Sequence, residues 1–205
     1  MRKKSHISLA RYLVESKGME QLQSHKKAFY WGSIQPDCMP SFITRRHSIE
    51  DTFPILEKEI KKITENFDTD RGINRYFCRH LGVITHYIAD YFTFPHNKIF
   101  PGNVKDHCQY ESELKRALRI YVKTDDAKRI REKSGIFNSI DEILTFIKKM
   151  HQEYLNALKA VKQDCLYIVE LCHKVVDAIL QLFELQLNKI SHTKNGYVSS
   201  IPLCD

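Results

Sequence analysis

Apolar residues recur every three or four positions along most of the chain, and no stretch alternates apolar and polar residues well enough for a strand. The pattern predicts a first helix that starts after Ser5, a residue type that caps helix N-termini, and ends near Gly18. A short second helix runs to about Trp31, followed by a Gly- and Pro-punctuated loop, WGSIQPDCMPSF. A third helix begins near Pro54 and carries Leu56, Ile60 and Ile63 on one stripe. A fourth covers about 72–92 and stops before Pro95, and a fifth covers about 103–122. After a charged connector, KTDDAKRIREKSG, two long helices fill about 139–162 and 164–190. The second of these is apolar nearly all round, with Val169, Leu171, Val175, Val176, Ile179, Leu182 and Phe183, so a central buried position is expected for it. The tail from about 191, SHTKNGYVSSIPLCD, reads as irregular.

The fold class that follows is all-α, organised as a single domain over residues 1–205, with no internal repeat and no linker to divide it. Composition agrees: 42% hydrophobic residues suffice for one sizeable core, and 7 Gly and 6 Pro are too few for a turn-rich sandwich or barrel. A net charge of +7 suits a polyanion or an anionic surface but equally describes lysine-rich solvated helix faces. The N-terminal MRKKSHISLARYLVESKG has no apolar core of signal-peptide length, and no run approaches a membrane span. A cytoplasmic protein is therefore expected, with its six cysteines reduced and buried in helices.

Candidate chemistry lies in the histidines, seven of the 10 falling before residue 110. On a wheel of the fourth helix, Phe77, Leu81, Ile84, Ile88 and Tyr91 make a core stripe. His86 and Asp90 lie on the opposite side, beside small Gly82. An i, i+4 pair of this kind can converge on one metal ion. His96 follows just past Pro95. On the fifth helix His107 and Glu111 repeat the i, i+4 arrangement, on a face shared with Leu114 and Leu118. A carboxylate on an apolar stripe is costly to bury unless a cation or donor compensates it. The resulting string, H-x3-D-x5-H-x10-H-x3-E, holds five ligand-type residues within 26 positions.

These segments, HLGVITHYIADYFTFPHN and then HCQYE, resemble the core signature of the zinc-dependent phospholipase C family, whose all-helical fold is shared with fungal single-strand nucleases. The family's Gly-Ser-x-x-Pro-Asp loop is matched by GSIQPD, its following histidine by RRHS, and the histidine opening its first helix by SHISLARYL. The resemblance covers about residues 5–115. It implies two to three Zn2+ ions: one held by Asp37, His47, His86 and Asp90, a second by His96, His107 and Glu111, and a third by His6 with Asp90 as a bridging carboxylate. Secreted relatives add the free amine of an N-terminal Trp at the third site. Here the chain reads MRKKS, its one Trp is Trp31, and the lipid-binding β-domain of larger relatives has no counterpart.

The function implied is hydrolysis of a phospholipid or small phosphodiester by a metal-activated water, which Asp37 would orient or deprotonate. Contact with a membrane surface fits that expectation, and no obligate protein partner is evident. Two alternatives share the same residues: a single-strand nuclease, which the positive charge favours and the lack of an aromatic-basic array disfavours, and a metal-stabilised helical binding protein without catalysis. The remaining histidines carry structural expectations. His80 lies about 120° around its helix from His86, by the 100° step of an α-helix, and His151 shares an apolar face with Ile147, Tyr154 and Leu158 as a hydrogen-bonded core residue. His25, His173 and His192 carry no functional role, and Trp31, Tyr87 and Phe94 are expected to pack in the core.

Overall fold

The computed structural model describes residues 1–39, 46–129 and 137–198. Among these the chain is all-helical, with seven α-helices and short 3-10 turns between them. They are α1 (Lys3–Glu15), α2 (Lys26–Ile34), α3 (Ile49–Ile63), α4 (Arg75–Tyr91), α5 (Val104–Tyr121), α6 (Ile140–Asn156) and α7 (Val161–Val198).

Capping chemistry sets most of the starts. Helix α3 begins at Ile49, earlier than Pro54, because Ser48 accepts the Asp51 amide and the acidic Glu50 and Asp51 occupy its first turn. Asn74 accepts the amides of Tyr76 and Phe77 and starts α4 at Arg75 rather than Gly72. Asn103 and Asp106 form a reciprocal capping box for α5. Helix α6 ends at Asn156, where the Lys159 ammonium donates to the carbonyls of Tyr154 and Ala157, so the break before α7 falls over 157–160 rather than near residue 163. Helix α7 continues to Val198, so the first part of the expected irregular tail is helical; no proline interrupts it before Pro202. The GSI of the expected loop is likewise helical, ending α2, and Gln35–Asp37 form a 3-10 turn. Residues 40–42 of that loop, 130–135 of the charged connector and 199–205 of the tail lie outside the described residues.

Helix α4 is the central element, packed against α2, α3 and α7. The expected stripe, Phe77, Leu81, Ile84, Ile88 and Tyr91, is fully buried, yet so is the opposite face with His86 and Asp90, so α4 is enclosed on all sides rather than amphipathic. The expected central position of the last helix holds for its first half, where residues from Cys165 through Phe183 fill the core. Helix α5 lies on α1 and α7, and α6 on α7 and α3. Three of the five described cysteines, Cys78, Cys165 and Cys172, are buried free thiols; Cys108 is exposed and Cys38 half-buried, contrary to the expectation for all six. No described helix is long and apolar enough to cross a membrane.

One close approach fixes the geometry that matters. Helices α2 and α4 meet through Gly32 and Gly82. A Cβ on Gly32 would lie 2.0 Å from the Arg79 carbonyl oxygen, and one on Gly82 would lie 2.3 Å from that of Phe29. Only glycine lets two backbones come this near, and the contact carries Ser33 and the turn to Asp37 directly onto α4.

Candidate metal centre

Asp90, fully buried on α4, sits at the middle of the cluster. Its Oδ2 lies 2.9 Å from His47 Nδ1, 3.2 Å from His86 Nε2 and 3.7 Å from His96 Nδ1. Its Oδ1 lies 3.3 Å from His6 Nε2 and 2.7 Å from the amine of Met1. The two oxygens of one carboxylate thus face different sets of nitrogens. Burial works to raise this carboxyl, but the surrounding His96, Met1 amine, His86 and His6 together hold it well below the usual carboxylate range.

On one side, His86 donates its Nδ1–H to the Ser33 carbonyl at 2.9 Å. That bond turns Nε2 into the cluster, the arrangement expected of a metal-ligating imidazole. His86 Nε2 and His47 Nδ1 are 3.0 Å apart, and Asp37 Oδ1 is 3.8 Å from both. Burial pushes the Asp37 carboxyl up. The His6 ring stacks on His86 with centroids 4.0 Å apart. His6 is buried, its Nδ1 without a hydrogen-bond partner and its Nε2 facing only Asp90. Burial, with His86 alongside, pushes its imidazole down to about 3, so it stays a neutral donor.

On the other side, Glu111 Oε1 lies 3.2 Å from His96 Nε2, 3.3 Å from His107 Nε2 and 3.0 Å from the Met1 amine. Burial works to raise the Glu111 carboxyl, and hydrogen bonds from His107 and His96 more than offset it, holding it below its ordinary range. His96 stands on the 3-10 turn Phe94–His96, and His107 and Glu111 on the first two turns of α5. Their apolar companions Leu114 and Leu118 are fully buried.

Three groups of donor atoms, each within 4.8 Å of one another, could hold an ion: His47, His86 and Asp90; His96, His107 and Glu111; and His6, Asp37 and His86. All eight expected residues therefore come together. The grouping differs from the expected one: Asp37 falls with His6 and His86 rather than with His47 and Asp90, while His6 also lies against Asp90. A divalent cation fits this set. The donors are imidazole nitrogens and carboxylate oxygens, as zinc takes, and the buried Nδ1 of His6 has no hydrogen-bond partner.

Some residues of the centre were not expected. The nitrogen of Met1 is buried 2.7 Å from Asp90 Oδ1 and 2.6 Å from His96 Nε2. Asp164 on α7 accepts the Phe94 amide (2.9 Å) and the hydroxyls of Tyr110 (2.9 Å) and Tyr154 (2.8 Å). It thereby ties the turn bearing His96 to the residue beside Glu111. Asn97 is held similarly: His151 Nε2 lies 2.7 Å from its Oδ1, and its Nδ2 donates to the carbonyls of Tyr91 and Thr93. His151 is thus the hydrogen-bonded core residue expected. His80 pairs with Glu59, away from the centre. Tyr87 is buried as expected, but Phe94 is only half-buried and Trp31 is 45% exposed.

The cluster opens into a cleft of about 580 Å³ whose wall includes Asp37, His47, His96 and His107, with Arg46, Asp51, Lys98 and Phe100 further out. The family model described as zinc dependent phospholipase C matches residues 5–161, extending the resemblance well past the motifs that suggested it. No curated protein and no solved structure matches the chain.

Proposed function

Because this chain belongs to the zinc-dependent phospholipase C family, we propose that it hydrolyses the phosphodiester of a phospholipid or a small analogue, with the eight His, Asp and Glu residues as metal ligands. The observation that carries the reading is the convergence of these donors beside an open cleft, with the buried Nδ1 of His6 lacking a hydrogen-bond partner. Bound zinc would supply Lewis acidity and an acidified water at neutral pH.

The chain's own residues then divide the work. Asp90 would place its two oxygens toward two ion positions, and Ser33 fixes the tautomer of His86. Asp37, set at the cleft wall with a carboxyl raised by burial, would orient the attacking water and take its proton on Oδ1. Arg46 and Lys98 would meet the non-bridging phosphate oxygens or an adjoining anionic group. A cleft of this size admits a head group and one ester linkage.

The test compares specificity constants with zinc present: a soluble phosphocholine ester and a short-chain phospholipid against single-stranded DNA and RNA. The phospholipid is expected to lead, and activity should vanish with chelator and return with zinc. Nucleic acid leading by tenfold, about 1.4 kcal/mol of transition-state preference, would replace this reading with a nuclease on the same ligands. No metal-dependent hydrolysis of any of the four would leave a binding protein.

A further inference from the structure

One lip of the cleft is built from the segment KIFPGNVK, residues 98–105, which joins the turn bearing His96 to helix α5. Lys98, Phe100, Gly102, Asn103 and Val104 of this segment line the cleft itself. Val104 is 81% exposed and Ile99 48% exposed. Arg46, exposed, lines the same cleft. Large apolar side chains left in water beside a catalytic opening mark a surface that something covers.

The charges around them say what. Lys98 and Lys105 bracket the apolar residues, and exposed Arg46 lines the cleft. The acids nearby are engaged: the Asp106 carboxylate accepts the Asn103 amide at 2.9 Å, and that of Asp51 accepts the Ser48 hydroxyl at 2.9 Å. Glu50 only grazes Lys98 at 4.0 Å, with both side chains exposed. Apolar tips flanked by cations match a layer with anionic headgroups above hydrocarbon. Stacked nucleic-acid bases fit less well, because the aromatic of the segment, Phe100, is half-buried against Phe94 with ring centroids 5.2 Å apart.

We propose that residues 98–105, with Arg46, form a docking lip that seats the cleft on a bilayer carrying anionic phospholipid. The proposal rests on the reading of the cleft as a phospholipid site, since the lip would deliver the headgroup linkage to it without the lipid leaving the layer. Ile99 and Lys105 do not line the cleft, so they can be altered apart from the chemistry.

The experiment uses the full chain and reads binding without turnover. Sedimentation with vesicles of phosphatidylcholine, with and without phosphatidylserine, is compared for the native protein and the double variant I99D/K105E. The native protein should bind the phosphatidylserine vesicles at least tenfold more strongly than the neutral ones, and the variant should lose that gain. Hydrolysis of a soluble phosphocholine ester should be equal in the two proteins, which separates the lip from the catalytic reading: that reading fails on the ester, the lip on the vesicles. A second measurement does not depend on the charged variant folding. Ile99→Trp in a Trp31→Phe background should show a blue-shifted emission on adding anionic vesicles. No native binding, equal binding by the variant, no emission shift, or displacement of the vesicles by short single-stranded DNA would each overturn the proposal.

Discussion

Asp90 and Asp37 show how far one carboxylate can differ from another in the same cluster. Asp90 is buried among nitrogens that hold it ionised, a ligand's condition. Asp37 stands 3.8 Å from the nearest imidazoles with burial raising its carboxyl toward working pH, which suits a proton acceptor. Asp37→Asn should therefore keep the fold and most of the zinc while the hydrolysis rate falls about 10²–10⁴-fold. Metal analysis beside the rate checks it: an unchanged rate removes Asp37 from the mechanism, and zinc lost together with rate makes it a ligand first. What the sequence made legible at this scale were pairs on one helix, His86 with Asp90 and His107 with Glu111, because an i, i+4 spacing fixes their proximity before any tertiary contact exists. Met1 and Asp164 reach the centre from 89 and 70 residues away in the chain, through contacts that no periodicity encodes.

Elements were legible where a cap or a stripe announced them, and boundaries were missed where a side chain from elsewhere closed the end, as Lys159 does for α6. The α2–α4 contact was half visible: Gly82 stood beside the ligand pair in the sequence, but its partner Gly32 was assigned to a loop. Gly82→Ala would drive a methyl onto the Phe29 carbonyl at 2.3 Å, and backbone cannot swing aside as a side chain can. Overpacking of this kind costs about 1–3 kcal/mol. The variant should melt lower and also hold zinc more weakly, because separating the helices draws the Ser33 carbonyl off His86; unchanged melting with unchanged zinc would mean that the contact is looser than described. A second joint links α3 to α4 through buried Glu59, which pairs with His80 and Lys62. Burial alone would raise the Glu59 carboxyl, but these partners hold it below its ordinary 4.5. A carboxyl depressed in the folded state stabilises above about pH 4.5 and loses that contribution as pH falls through the folded value. The stability gap between native protein and Glu59→Gln, read from urea midpoints, should be wide at pH 7 and close under acid. A gap independent of pH would show that Glu59 is not held as a charge.

For the molecule as a whole, the expensive feature is that α4, the central helix, carries a fully buried Asp90 and two buried histidines, His80 and His86, through the core. A buried charge without a partner costs several kcal/mol. Here Asp90 and Glu111 are surrounded by nitrogens, and the buried Nδ1 of His6 has no hydrogen-bond partner. Metal ions would convert the arrangement from a liability into cross-links, joining the start of α1, the turn at Asp37, the segment before α3, the C-terminal half of α4, the turn after it and the start of α5. Ligand binding to the folded state alone adds RT ln(1 + [L]/Kd), about 4 kcal/mol at a thousandfold excess over Kd. For a chain of this length each kcal/mol moves Tm by about 2–4 °C, so chelation should lower Tm by roughly 8–16 °C, and zinc should restore it. The loss should concentrate where the ligands are: amide exchange should quicken in α1, around His47 and in the first turns of α5. The second half of α6 and the apolar core of α7 should change little. Equal melting of the stripped and loaded protein would mean that packing and the existing ion pairs alone carry the buried charges, and the centre would then be a surface for metal rather than part of the fold.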